Sequence, residues 1–421
     1  MLSYLTTTEI RHPWKTRARQ LDAYRWALLR ERHGLIGSTV RVVRDGLLDL
    51  ILGLAARLRA GTPVNSPAER ILVLHGSPRL LAQRRKRGLV ESLRRLGHQV
   101  VEAAIEPLRV AVRRNYLYRP AAQVPLRYYA HAAYAEWLAR QHNPRLVLNE
   151  RHGSLVIPFL RLALNAQGKS LAQLSHATSV DDSRRLSMTD YDYYFLFGQS
   201  SLDALRRRAL RFGTTQTILT GSYLIDQQYA LPAANNELRI LVLGVGPDRE
   251  ARAGYQRTYA MIREWAARHP QVPVTFKAHP RSRMAFWREA AASHPNIHLE
   301  MPDASLACAL QRNSVVLNIM SNAALEASLA NRPVVYVNTS DEPDLLEQAR
   351  FFGACVTDLD MLQARLDWLS CNYQEAVRNA RAFAEYHLAH GVHGQHKTAE
   401  TIDRLVRRQP IPAIELAGTI G

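Results

Sequence analysis

Residues 272–283 read VPVTFKAHPRSR. A β-rich apolar run ends in Lys277, His279 and Pro280, and two arginines, Arg281 and Arg283, follow. On an extended strand Lys277 and His279 lie two apart and share a face, so both are candidate contacts to the phosphate of a donor. Pro280 biases His279 towards extended backbone, which puts the imidazole at the strand's exit. A histidine there donates to a phosphate oxygen and, as imidazolium, neutralises a leaving phosphate. A second strand-like run, Val315–Met320, ends in Ser321-Asn322 and passes into the pattern ALEASLANRPVVYVN. Ser321 precedes a helix start, where free N–H groups and a hydroxyl suit an anion. Asn322 sits beside it, and Glu326, on the first turns, is placed to reach a ribose hydroxyl.

Outward from these runs the chain reads as alternating strands and helices. Leu238–Leu243 (LRILVL) is a buried strand ending at Gly244-Val245-Gly246-Pro247. Gly244 and Gly246 are a weak phosphate-loop signal, without the third glycine and downstream acid of a dinucleotide fingerprint. Arg70–His75 (RILVLH) is a second short apolar run bounded by loop residues, and a helix at 88–96 and a strand at 99–103 complete a βαβ unit. Strands are also expected at 145–149, 170–175, 191–197 and 217–221. Residues 1–60 read as helical, with Gly34 and Gly37 breaking the pattern before Gly46–Leu58 (GLLDLILGLAARL). Gly61–Pro67 reads as a linker, and Pro232–Asn236 as another.

These runs predict an α/β protein with a helical N-terminal extension (1–62), a Rossmann-like domain (68–230) and a second Rossmann-like domain (237–408). In such sheets ligands bind beyond the carboxyl ends of the strands. That rule selects Asn149-Glu150-Arg151-His152-Gly153 and His176-Ala177-Thr178 in the first domain. Glu150 is a candidate general base, and pairing with Arg151 would weaken it. His176 is the competing base, with Glu150 set slightly ahead.

The 421 residues carry 55 Lys+Arg against 37 Asp+Glu, a formal charge of +18. Such a field favours anionic partners. Nucleic acid is disfavoured: the basic clusters are not interleaved with aromatics, and no helix-turn-helix or zinc-finger pattern occurs. Three cysteines without CxxC spacing suggest neither a disulfide framework nor a zinc site, and they fit a reducing cytoplasm. The 16 histidines are scattered; the tail set at His387, His390, His393 and His396 is interrupted by glycines, so no metal is expected. No apolar run is long enough to span a bilayer. Residues 46–58, flanked by arginines, suit a membrane interface or the protein's own core.

Lys277-Ala278-His279-Pro280 resembles the HP motif of bacterial GT-B glycosyltransferases that use CMP-activated sugars, and is equally similar to the KxHP of CDP-glycerol glycerophosphotransferases. Ser321–Ala327 with Asn331-Arg332-Pro333-Val334-Val335 resembles the Ser-Ser/Thr…EA…G-x-P-V-I segment of the same enzymes. Asn149–Gly153 is loosely similar to an acidic base motif, and His176-Ala177-Thr178 to an HGT motif. Thr220-Gly221-Ser222 with Asp226 resembles a segment that precedes the second domain. The sequence departs at Asn322, at Arg151-His152 and at Ala177. The resemblance implies a GT-B fold, two Rossmann-like domains facing a cleft, and an inverting transfer without metal or other cofactor. His279 and Ser321 would meet the phosphate of a nucleotide-activated donor. A cell-surface polysaccharide or lipid-linked glycan would be the acceptor, at the inner face of the membrane. Alternatives are a CDP-glycerol-type glycerophosphotransferase, a UDP-sugar transferase or epimerase on this scaffold, a nucleic-acid-binding protein, and a non-catalytic glycan-binding member.

Overall fold

The apolar runs of the first half become parallel strands β1 (Arg70–His75), β2 (Val100–Ala104), β3 (Pro144–Asn149), β4 (Ser170–Leu174), β5 (Tyr193–Leu196) and β6 (Thr215–Leu219). The computed structural model describes residues 12–64, 70–178, 184–235, 237–279, 281–301 and 303–420. Pro280, with the bias expected of it, lies outside the described residues, as do 1–11 of the expected extension and 65–67 of the first linker. Strands covered on both faces need continuous apolar sequence, and β1 buries every residue after Arg70. The order across the sheet is β2-β1-β3-β4-β5-β6. A C-terminal strand, β12 (Ile414–Leu416), pairs antiparallel with β6 and was not foreseen in the sequence.

Five further strands build a second, wholly parallel sheet: β7 (Ile240–Leu243), β8 (Val274–Lys277), β9 (Ile297–Leu299), β10 (Val315–Asn318) and β11 (Val334–Tyr336). Their order is β9-β8-β7-β10-β11. Each sheet reverses its winding once, between β1 and β3 in the first and between β7 and β10 in the second. Those switch points open crevices at the strands' carboxyl ends. Both sheets are Rossmann-like, as expected of a GT-B protein.

The described residues divide into two compact units: residues up to Leu224 together with Gln395 onward, and Ile225–Gly394. This differs from the expected boundaries at both ends of the chain. Helices α1 (Pro13–Arg30) and α2 (Leu35–Arg59) are not a separate extension. Trp14, Leu21, Tyr24 and Ala56 share one core with Tyr128 and Phe159. Gly37, Gly46 and Gly53 all lie inside α2, although glycine weakens a helix interior. At Gly53 packing supplies the reason: a Cβ there would overlap the carbonyl of Leu126, at the start of α3 (Leu126–Gln141). Two polar ties support this packing: Arg25 to Asp49 at 2.6 Å, and the Tyr128 hydroxyl donating to Asp22 at 2.6 Å. At the other end, most of the final long helix (Gly394–Val406) belongs to the first unit, where His98 Nε2 lies 2.8 Å from Asp403 Oδ1.

Candidate functional site

At the first switch point, Leu74 of β1 lies beside Asn149 of β3, and the Glu150 N–H donates to the Leu74 carbonyl at 3.2 Å. This register brings Glu150 to fully buried His75, with His75 Nδ1 and Glu150 Oε2 3.7 Å apart. Lys86 completes the group. Its buried ammonium bonds Glu150 and lies 3.3 Å from His75 Nδ1, while His75 Nε2 lies 3.0 Å from Glu102 Oε1. An ammonium only donates. Nδ1 therefore accepts, and Nε2–H donates to Glu102. Burial lowers the His75 pKa, Lys86 adds to that, and the histidine stays neutral. Burial also lowers the Lys86 pKa, against the pull of Glu150. The expected Arg151–Glu150 pairing is not what forms: the Arg151 guanidinium reaches the Gly76 carbonyl at 3.5 Å, and Lys86 takes the carboxylate.

His176 follows β4 and is exposed to solvent, unlike Glu150. Desolvation by neighbouring groups lowers its pKa; Glu150 opposes this, and Arg85 and Lys86 reinforce it. It is therefore a neutral, accessible imidazole. Its ring lies 5.2 Å from that of His152, which lies 6.0 Å from the Tyr194 ring. Either side of it, the sealed hydroxyl oxygens of Ser175 and Thr178 have no hydrogen-bond partner among the described residues. Asn149 is pinned by its amide to Gln173 and to the Arg151 carbonyl at 2.9 Å.

Sequence reading did not single out His75, Lys86 or Glu102. Lys86 lies in a basic run, Arg84-Arg85-Lys86-Arg87. A signal was available: Lys86 starts an i, i+3, i+4, i+7 series with Leu89, Val90 and Leu93, all of them buried.

In the second unit the loops after β7 and β8 are bound together. The Gly244 N–H donates to the Lys277 carbonyl at 2.9 Å. A Cβ on Gly244 would stand 2.8 Å from the His279 nitrogen, so glycine is required for this approach. Gly246 starts helix α4 (Pro247–Glu250), and a Cβ there would touch the Arg281 guanidinium at 3.6 Å and the His279 ring at 3.9 Å. Gly246, His279 and Arg281 thus form one corner. Ser282 Oγ and the Arg283 N–H donate to Glu250 at 2.6 and 3.1 Å, which fixes the loop after His279. His279 Nδ1 accepts from the Arg281 N–H at 3.2 Å, which leaves Nε2 as the proton-bearing nitrogen. Burial, then Arg281, lowers the His279 pKa.

On the other side of this switch point, Arg249 donates to the Met320 carbonyl at 3.2 Å, next to Ser321. The Ser321 N–H donates to Asn318 Oδ1 at 3.0 Å, and Ser321 Oγ accepts from the Ala323 N–H at 3.4 Å. Exposed Asn322 is the N-cap of α5 (Ala323–Leu329), without a side-chain cap bond. On the first turn of α5, Glu326 Oε2 is sealed from solvent with no hydrogen-bond partner among the described residues. Burial pushes its pKa up to about 7. Lys277 does not join the His279 corner: its ammonium donates to the carbonyls of Met301 at 3.2 Å and Ala304 at 2.7 Å. Arg249 and Arg281 were not among the expected site residues. Among the described residues no group of three or more His, Cys, Asp or Glu is placed to hold a metal ion.

No protein-family model matches the chain, and no curated protein matches it by sequence. Solved structures do. A provisionally assigned UDP-N-acetylglucosamine 2-epimerase of Listeria monocytogenes aligns with a TM-score of 0.54 and 15% identity, over 82% of this chain and 98% of that one. Another UDP-N-acetylglucosamine 2-epimerase gives 0.52 and 13%, over 84% and 100%. Staphylococcus aureus MnaA, solved with UDP, gives 0.50 and 12%, over 82% and 99%. At these identities the likeness is one of fold, the two-domain GT-B architecture.

Proposed function

We propose that this protein is an enzyme that binds a nucleotide-activated sugar through its second unit and transfers the sugar with inversion, without metal, to a surface polysaccharide or lipid-linked glycan. One observation carries the reading: the sealed, unpartnered Oε2 of Glu326 beside the end of β10. Buried polar groups are nearly always satisfied, and a ribose diol supplies two donors to such a carboxylate. His279 Nε2–H, Ser321 and the Gly246 corner are the proposed phosphate contacts, with Arg281 and Arg249 adding positive charge. Asn322 and Gly244 shape the loops that carry them. Lys277 is left out, because its ammonium is already held by two carbonyls.

For the base in the first unit we favour His176 over Glu150. What supports the choice is that His176 is exposed and neutral, whereas Glu150 is bound by Lys86. The CMP-sugar donor is suggested by the HP motif, and UDP by the fold neighbours. A second reading, epimerisation of a UDP-sugar, is favoured by those same neighbours.

The test is calorimetric titration with CMP, CDP and UDP. One nucleotide is expected to bind, with affinity falling about tenfold in Glu326→Gln and in His279→Ala. Absence of binding by all three overturns the proposal. Incubation with the matching nucleotide sugar then separates the readings: release of nucleotide with sugar on a glycan means transfer, and an isomeric nucleotide sugar means epimerisation. If Glu150→Gln stops turnover and His176→Ala does not, Glu150 is the base.

A further inference from the structure

The buried face of α2 packs on the protein through Ser38, Gly53 and Ala56. The opposite face carries a continuous apolar line through Ile36, Val40, Val43, Leu47, Leu54 and Leu58, each more than half exposed. These positions follow helical spacing and cover about 33 Å of helix length. Large exposed apolar patches of this kind mark interaction surfaces.

The charges beside the line are of one sign. Arg44 and Arg57 border it on opposite flanks and are exposed. Of the two acids of the helix, Asp49 is tied to Arg25 on the protein side, and Asp45, 35% exposed, pairs with Arg44. The apolar line of α2 itself therefore holds aliphatic side chains and no carboxylate, with arginines on its flanks. A second copy of the chain fits this face poorly, because pairing would set one arginine-edged, acid-free line against another. Crossing a membrane is also excluded for this segment: among the described residues no helix is long and apolar enough.

We propose that α2 is a docking surface for an anionic lipid bilayer, lying in the plane of the interface with its apolar line among the acyl chains and its arginines at the headgroups. An in-plane amphipathic helix gains from both terms, apolar burial and attraction to acidic lipid. The chain's overall charge of +18 acts in the same direction. The proposal is independent of the catalytic reading.

The test is co-sedimentation of the full chain with phosphatidylcholine vesicles, plain or containing roughly 30% phosphatidylglycerol. The protein is expected to bind the acidic vesicles and to bind the neutral ones much more weakly. The variant Leu47→Glu/Ile51→Glu/Leu54→Glu changes only exposed positions and is expected to lose binding by about tenfold or more. Arg44→Gln/Arg57→Gln keeps the apolar line and is expected to narrow the preference for acidic vesicles. No binding to acidic vesicles overturns the proposal. So does unchanged binding by the triple variant, which would leave the bulk charge as the cause. A dimer in vesicle-free sedimentation that the triple variant splits would also overturn it, giving the face to a second copy.

Discussion

The two switch points have the same topology and opposite electrostatic states. Between β1 and β3 the ionisable groups are bound to each other: Lys86 joins Glu150 and His75, and His75 joins Glu102, while the neutral Asn149 Oδ1 is sealed without a partner among the described residues. Beside β7 and β10 groups are left over. Glu326 has a sealed oxygen without a partner, and His279 has an N–H in excess of its one acceptor bond. Low dielectric strengthens a complete polar network and penalises an incomplete one. The first edge is therefore pre-organised by the protein alone. The second holds one sealed carboxyl oxygen without a partner, and the proposed nucleotide would supply its donor.

The largest expected effect tests the closed side. Lys86→Met leaves Glu150 and His75 without their shared donor in a buried place. Breaking one partner of such a pair costs about 3–5 kcal/mol. Chemical denaturation should show a loss of that size, and Lys86→Met/Glu150→Gln should regain much of it by removing the stranded charge. A loss below about 1 kcal/mol for the single variant would mean that the cluster is solvated, and the contrast between the two edges would disappear.

The open side predicts a pH dependence of opposite origin. Folded Glu326 holds its proton up to about pH 7, whereas the unfolded value is 4.5. Between those values the folded chain binds more protons, so this residue's contribution to stability falls as pH rises through the window and is flat above it. The expected loss is about 1–3 kcal/mol. Glu326→Gln should remove that slope and be more stable than the parent at pH 8, while binding nucleotide less well. Equal slopes in the two proteins would show that Glu326 is not held neutral, and its carboxyl would no longer mark a vacancy for a ligand.

The strands were legible because a parallel strand buried on both faces must be apolar throughout, and RILVLH and LRILVL are. The corner at His279 was legible as a strand end. Less legible was everything that depends on close packing or on distant partners. Gly34 and Gly37 read as a break before residue 46, yet one helix runs through 35–59, and the approach of α2 to Leu126 requires glycine at position 53. Lys86 sits in a basic run of sequence, and its partner Glu150 is 64 residues away, beyond the reach of local pattern. Asn331, where the resembling family has glycine, has φ of 57°, a left-handed conformation that asparagine tolerates. β12 is three residues long, too short for periodicity to register.

Lys277 sharpens the comparison by the smallest effect, because it is a closed group on the open side. Its place two residues before His279 in an extended run makes it a candidate phosphate contact beside His279. Its ammonium instead ties β8 to the carbonyls of Met301 and Ala304. Lys277→Met should therefore cost about 1–2 kcal/mol, the worth of charge-assisted hydrogen bonds at a partly exposed place. Calorimetry should find nucleotide affinity within about twofold of the parent, since no donor to the ligand has been removed. A tenfold loss of affinity at unchanged stability would return Lys277 to the phosphate set. The ammonium would then leave the 301–304 loop when ligand binds, and the second edge would be open at three positive groups rather than held partly closed by one of them.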